Sequence, residues 1–193
     1  MVAALAHMSV ALSEADYLAG EALATVRHEL VSGEAYAMAG ASERHNRIAG
    51  NVFFHLRAAT RGKTCKTFMA DMKLRQRQGT LYYYPDVMLV CDPTDDHPHH
   101  KQQPCFIAEV LSPATAQTDM REKWLSYREL PSLRYYLLLD SERVWAQCHV
   151  RLPDGQWGTL VLQADDRLDV QCGDASLSLC LDDLYEDTGL LPH

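Results

Sequence analysis

CFIAEVLSPATAQTDMREKWLSYRELPSLRYYLLLD, residues 105–140, is the stretch whose reading decides the fold. CFIAEVLS is a short apolar run with the length of a buried strand, interrupted by one carboxylate, Glu109. A helical pattern follows over about Thr118 to Glu129, and Pro131 lies just beyond its end, where a helix cannot continue. RYYLLLD then reads as a second buried strand. Strand, crossover helix and strand in this order predict an α/β protein with a mixed sheet flanked by helices.

Working outward, CKTFMADMKLRQR and LYYYPDVMLVCD, separated by Gly79, read as a hairpin with a ragged turn. Its second half ends in the continuous apolar run VMLV, the pattern of a strand covered on both faces. DPTDDHPHHKQQP, residues 92–104, reads as a flexible polar loop. Upstream, Ser13 caps a short helix through Leu23, with Glu14 and Asp16 favourably placed in its first turn. RHELVSGEAYAMAG reads as two strands about a tight turn at Gly33. Ser42 opens a longer helix in which Ile48, Val52, Phe53 and Leu56 form one apolar stripe. Downstream, VWAQCHVRL, WGTLVLQ, LDVQC and LSLCLDDL read as β-rich hairpins, with Pro153-Asp154-Gly155 as a turn.

The chain has 193 residues, enough for one domain with a substantial core. Residues 13–187 are read as that domain, after a loose lead-in over 1–12 and before a tail over 188–193. No apolar run approaches the roughly 20 residues of a membrane span, and the N-terminus lacks the features of an export signal. The expected compartment is therefore the cytoplasm, with no membrane partner. The six cysteines form no CxxC pair and several sit in apolar runs, so all are expected to be reduced and structural. A formal charge of −8 disfavours a large permanent nucleic-acid footprint, although KLRQRQ offers Lys73, Arg75 and Arg77 as a local basic segment.

Two carboxylates carry the chemical reading. Asp86 follows Pro85 at the mouth of VMLV, and Glu109 lies inside FIAEV. A carboxylate in a buried strand is costly unless its charge is compensated. A Mg²⁺ ion, or Mn²⁺ in its place, compensates two of them while keeping waters for a substrate phosphate. The residues alone leave open a second role for Asp86, capping backbone groups at a strand end. A lysine would complete such a site by stabilising charge on phosphorus. Two residues after Glu109 stands Leu111, so the nearest candidate is Lys123 on the following helix. Lys123 has an equally good alternative as the partner of Asp119 in a surface pair. His97, His99 and His100 resemble a metal cluster, but a polar loop with three prolines supplies no fixed ligand geometry. Tyr82, Tyr83 and Tyr84 read as core more readily than as base-stacking surfaces, and Asp71 is only a distant candidate.

YYYPDVMLVCD, the 105–140 stretch and the earlier RHELVSGEAYAMAGASERHNRI resemble the Uma-two family of restriction endonucleases, within the PD-(D/E)XK superfamily. The resemblance spans roughly residues 13 to 187 and is most specific along EVLSP…T…D…K…Y…YYLLLD. It implies a restriction-endonuclease-like fold, a divalent metal held by Asp86 and Glu109, and Lys123 as a migrated catalytic lysine. Glu29 would be a further acidic member, with Glu34 as a weaker candidate, and His45 occupies the place of a histidine that positions water or phosphate. Ser32, where aspartate is common, and a longer His-rich loop depart from the family pattern. The implied activity is Mg²⁺-dependent hydrolysis of DNA; a homodimer formed through the C-terminal hairpins is a separate expectation. The alternative is a non-catalytic nucleic-acid-binding or regulatory module on the same fold.

Overall fold

A computed structural model of the chain describes residues 11–38, 40–113 and 115–191. In chain order, the first elements are α1 (Glu14–Leu23), β1 (His28–Val31), β2 (Glu34–Ala37), α2 (Glu43–Ala59), β3 (Lys66–Met69) and β4 (Lys73–Gln76). Next come β5 (Leu81–Tyr83), β6 (Val87–Val90), β7 (His100–Lys101), β8 (Pro104–Leu111) and a composite helix α3, π-helical over Thr118–Lys123 and α-helical over Trp124–Tyr127. The chain finishes with β9 (Tyr135–Asp140), β10 (Ala146–Arg151), β11 (Trp157–Val161), β12 (Leu168–Cys172), β13 (Ala175–Leu179) and α4 (Leu181–Tyr185). The stretch read as one domain contains two compact units. One is drawn from Met1–Ala39 and Arg75–Tyr83, the other from Gly40–Leu74 and Tyr84–His193. The lead-in up to residue 10 and the last two residues of the tail lie outside the described residues.

In the smaller unit the Ser13 hydroxyl accepts the Asp16 N–H at 3.1 Å and starts α1. β1 and β2 pair antiparallel through Ser32 and Gly33, both at positive φ, which is the backbone of a tight two-residue hairpin turn. Glycine adopts that conformation freely, whereas serine at the first position carries a steric cost. Tyr17 of α1, Leu30 of β1 and Tyr82 of β5 form the unit's small core. Glu21 and Tyr17 fasten α1 to the start of β1, the carboxylate by accepting the His28 N–H and the phenol by donating to the His28 carbonyl.

The larger unit is built on a six-stranded sheet in the order β11-β10-β9-β8-β6-β3. β8 and β9 run parallel, joined by the α3 crossover, and the other pairs are antiparallel. All eight residues of β8 are buried, as its apolar pattern, broken only by Glu109, predicts. Ile48, Val52 and Leu56 of α2 are fully buried against Val87, Leu89, Phe106 and Ala108 of the sheet. The hairpin β12–β13 and α4 extend the same core. Among the described residues no helix is long and apolar enough to cross a membrane.

Several expectations need correction. β4 and β5, on either side of Gly79, are neighbours in one sheet as the hairpin reading expects, but the outer parts of the two segments pair elsewhere. β3 pairs antiparallel with β6 (Lys66↔Val90), while the start of β4 pairs in parallel with β7 (Lys73↔His100). Ala70, at φ 47°, turns the chain after β3, and Pro85, with no N–H to give a ladder, separates β5 from β6. LSLCLDDL is part strand and part helix, because Cys180 and Asp183 form a capping box at the start of α4. The 92–104 stretch is tied rather than loose. Asp95 accepts the N–H groups of Gln102 and Gln103, each at 2.8 Å, and the Lys101 ammonium donates to the Asp95 and His97 carbonyls.

The cysteines are not all reduced either. Cys65 and Cys91 flank the Lys66↔Val90 pair and are bridged across β3 and β6, and Cys105 of β8 is bridged to Cys172 of β12. Sequence separations of 26 and 67 hide both pairs from motif reading. Gly173, at φ 53°, lets the β12–β13 turn approach this site, where an added Cβ would come within 2.9 Å of the Cys91 Cβ. Closing so long a loop between Cys105 and Cys172 stabilises the chain by roughly 4 kcal/mol in the chain-entropy picture. A reductant should therefore lower the melting temperature measured by calorimetry. A Cys172→Ala variant should melt low with or without reductant.

Candidate active site

Asp86 sits one residue before β6, and the Val87↔Ala108 register sets it across from Glu109 of β8. Its Oδ2 accepts the Val110 N–H at 2.7 Å, so the carboxylate is locked to the backbone of β8. The Glu109 Oε2 lies on the same side, 3.4 Å from the Asp86 N–H. Glu109 is only 2% exposed. Its other oxygen, Oε1, accepts the Tyr127 hydroxyl at 2.8 Å and the Lys123 ammonium at 3.2 Å. The two carboxylate oxygens are thus divided, one gripped by α3 and the other turned toward Asp86.

Lys123 is 6% exposed, which excludes the surface-pair alternative, yet it does reach Asp119, at 3.1 Å. It therefore bridges Glu109 and Asp119, itself 3% exposed. The helix read over Thr118–Glu129 is π-helical over Thr118–Lys123 and α-helical over Trp124–Tyr127, so it ends two residues earlier than expected. Asp119, Lys123 and Tyr127 recur every fourth residue on it, and the last two meet at Glu109 Oε1. Tyr136 of β9 donates to the Asp119 carbonyl at 2.9 Å. Burial, together with the nearby Glu109 and Asp119 charges, pushes the Tyr136 phenol well up, so it stays a neutral donor.

His45 comes from the N-terminal turn of α2, on the face that continues into Ile48, Ala49 and Val52. Its Nε2 is 3.3 Å from Asp86 Oδ2. Burial works against its protonation, but the bond to and charge of Asp86, with help from Asp119 and the Val110 carbonyl, outweigh burial and raise its pKa. The sign for stability follows. The contribution is fully present below the ordinary histidine value of about 6.5 and is lost as pH rises through the raised value. The stability difference between the native chain and His45→Gln should accordingly shrink on going from mildly acidic to alkaline buffer, as urea titrations would show. A difference that does not change with pH would contradict this.

The surroundings of the remaining candidates differ from one to the next. Glu29 belongs to the smaller unit, on β1 opposite Tyr36, and Glu34 is exposed on β2, accepting the Tyr36 hydroxyl at 2.6 Å. Asp71 is exposed in the turn after β3. Tyr82, Tyr83 and Tyr84 are all buried, so none offers a face to a base. His97 stacks on His100 at 3.7 Å between ring centres. Among the described residues no set of three or more His, Cys, Asp or Glu side chains is arranged to hold a metal. A hard Mg²⁺-type ion needs only one or two carboxylates, and the Asp86–Glu109 pair fits that requirement. A cleft of about 370 Å³ opens at the C-terminal ends of β8 and β9, lined by Leu111, Pro113, Ala116, Asp140, Glu142 and Arg143.

Tyr127, Asp119 and Tyr136 were missed as site members by sequence reading. The signal available for the first two was the four-residue spacing through Lys123. Tyr136 left none, since YYLLLD reads only as a buried strand.

The chain matches the Uma2 family, described as "Putative restriction endonuclease", over residues 15–179. Two uncharacterized proteins of Synechocystis sp. are similar. One, sll1609, is 35% identical over 149 residues, covering 76% of this chain and 84% of its own. The other, slr1290, is 33% identical over 175 residues, covering 90% and 91%. The fold is shared with a crystal structure from Anabaena variabilis ATCC 29413 titled as "a putative nuclease belonging to DUF820". The TM-score is 0.72 at 17% identity, over 90% of this chain and 97% of that one. That overlap shows a common nuclease-like fold, and the sequence match places the chain in the family. This protein belongs to the Uma2 family of restriction-endonuclease-like proteins.

Proposed function

We propose that the protein is a Mg²⁺-dependent endodeoxyribonuclease that hydrolyses DNA phosphodiester bonds with water, and that Mn²⁺ substitutes for Mg²⁺. The observation that carries this reading is the divided Glu109 carboxylate, buried at 2% exposure with Lys123 and Tyr127 on one oxygen and Asp86 beside the other. Two carboxylates and an ammonium near one strand end are the groups that the family resemblance implies for a metal and its lysine, which supports this reading. A divalent cation bound by Asp86 and Glu109 would acidify water and offset charge building on phosphorus. The chain's own residues supply the rest. The Val110 N–H fixes the Asp86 carboxylate, and the Tyr127 hydroxyl fixes Glu109, so neither must reorganise when substrate arrives. The Lys123 ammonium is the positive group available to a non-bridging phosphate oxygen. His45, whose pKa Asp86 raises against the effect of burial, adds a nitrogen 3.3 Å from that carboxylate at the same edge. Glu29 remains an additional acidic candidate by family resemblance alone.

The net charge of −8 favours a second reading, a module that binds nucleic acid or regulates without cutting it. One assay separates the two. Single- and double-stranded DNA should be nicked with Mg²⁺ present and left intact with a chelator, and Asp86→Ala should be inert under both conditions. Intact DNA with the native, metal-loaded protein would reject the nuclease reading and leave the binding module.

A further inference from the structure

Lys123 is gripped from two sides, and only one grip belongs to the metal pair. Its ammonium is 3.2 Å from Glu109 Oε1 and 3.1 Å from Asp119 Oδ1, with all three side chains under a tenth exposed. An exposed pair of this spacing on a helix contributes little. Here the pair is buried, so the cation, its two anions and their orientation are fixed together. Asp119 is in turn held by its backbone, whose carbonyl accepts the buried Tyr136 hydroxyl at 2.9 Å. The segment carrying both residues, Thr118–Lys123, is π-helical. π-helical turns are rare and are found frequently at functional sites. Glu109 also has two tasks that compete, since charge it directs to a cation beside Asp86 is charge withdrawn from Lys123. A second anion removes that competition.

We propose that Asp119 is a positioning residue of this site, holding the Lys123 ammonium at the end of β8 so that Glu109 is released to serve the metal. The kinetic part of this inference rests on the nuclease reading, but its structural part does not.

The test uses Asp119→Asn, which keeps shape and removes charge, with Asp119→Ser as the replacement if the amide variant does not fold. Lysine-selective ¹⁵N NMR of the native chain should show an ordered, slowly exchanging Lys123 ammonium, assigned by its absence in Lys123→Met. In the Asp119 variant that signal should broaden or vanish. With DNA and saturating Mg²⁺, kcat should fall about 10- to 100-fold, the range for outer-shell partners, with KM for DNA unchanged, and Mg²⁺ affinity should weaken because Glu109 alone is left to hold Lys123. Adding the Asp119 change to Lys123→Met should cost nothing further. An unchanged ammonium signal overturns the proposal, as do losses that multiply in the double variant, because a residue that merely supports the fold behaves that way. If the native protein does not cut DNA, the nuclease reading fails and the NMR result alone decides on Asp119.

Discussion

Lys123→Ala is expected to be both a poor enzyme and an unstable protein, and Mg²⁺ should repair only the second defect. The ammonium lies between two carboxylates that are 2% and 3% exposed, so its removal strands Glu109 and Asp119 without compensation. Breaking a buried pair in this way costs about 3–5 kcal/mol. For a chain of this size that lowers the melting temperature by roughly 10 °C. A divalent cation beside Glu109 returns positive charge to the cluster. The melting temperature of the variant should therefore rise more with Mg²⁺ than that of the native protein. Cleavage should not recover, since losing a group aimed at transition-state charge costs about 10²- to 10³-fold in kcat. Lys123→Arg should rescue little, because a planar guanidinium does not fit between two carboxylates placed for a compact ammonium. Parallel melting scans and cleavage rates check this. A variant that cuts DNA at the native rate would remove Lys123 from the chemistry.

Glu109→Gln should separate stability from activity in the opposite sense. The amide keeps the volume and still offers an oxygen to Tyr127 and Lys123, while Lys123 retains Asp119 as counterion. One of two carboxylates competing for a single buried ammonium is removed, so stability by urea titration should be unchanged or higher. Mg²⁺ binding should weaken sharply, because a neutral amide is a poor ligand for a hard cation. Cleavage should fall with it, by about 10²-fold or more. A purely structural Glu109 predicts the reverse, a destabilised protein with its remaining activity in proportion to its folded fraction. Gains in stability from loss of a charged site residue are the mark of a group kept for function.

Much of this was legible in the chain, for physical reasons that can be named. Glu109 and Asp86 stand out because β8 and β6 are otherwise apolar and buried, so a carboxylate there needs a partner. The α3 crossover followed from Pro131 and from two buried strands on either side. What stayed hidden depended on contacts between distant segments. Cys65–Cys91 and Cys105–Cys172 are products of strand register and of the β12–β13 turn. Asp119 reads from sequence only as half of a possible surface pair, because helical spacing reports which residues share a face and not whether that face is covered. The π-helical turn at Thr118–Lys123 has no periodic signature in so short a segment. Asp95 looked like one more loop acid, yet its two backbone bonds at 2.8 Å order the stretch taken to be flexible.

Asp86 and Glu109 as the two protein ligands of one catalytic cation is the central claim, and anomalous scattering from Mn²⁺-soaked crystals tests it most directly. The account predicts a single strong peak at the mouth of β6, bonded to one oxygen from each carboxylate at about 2.1 Å, and absent from Asp86→Ala crystals. No peak between these side chains, or one at His97, His99 and His100 instead, would contradict it.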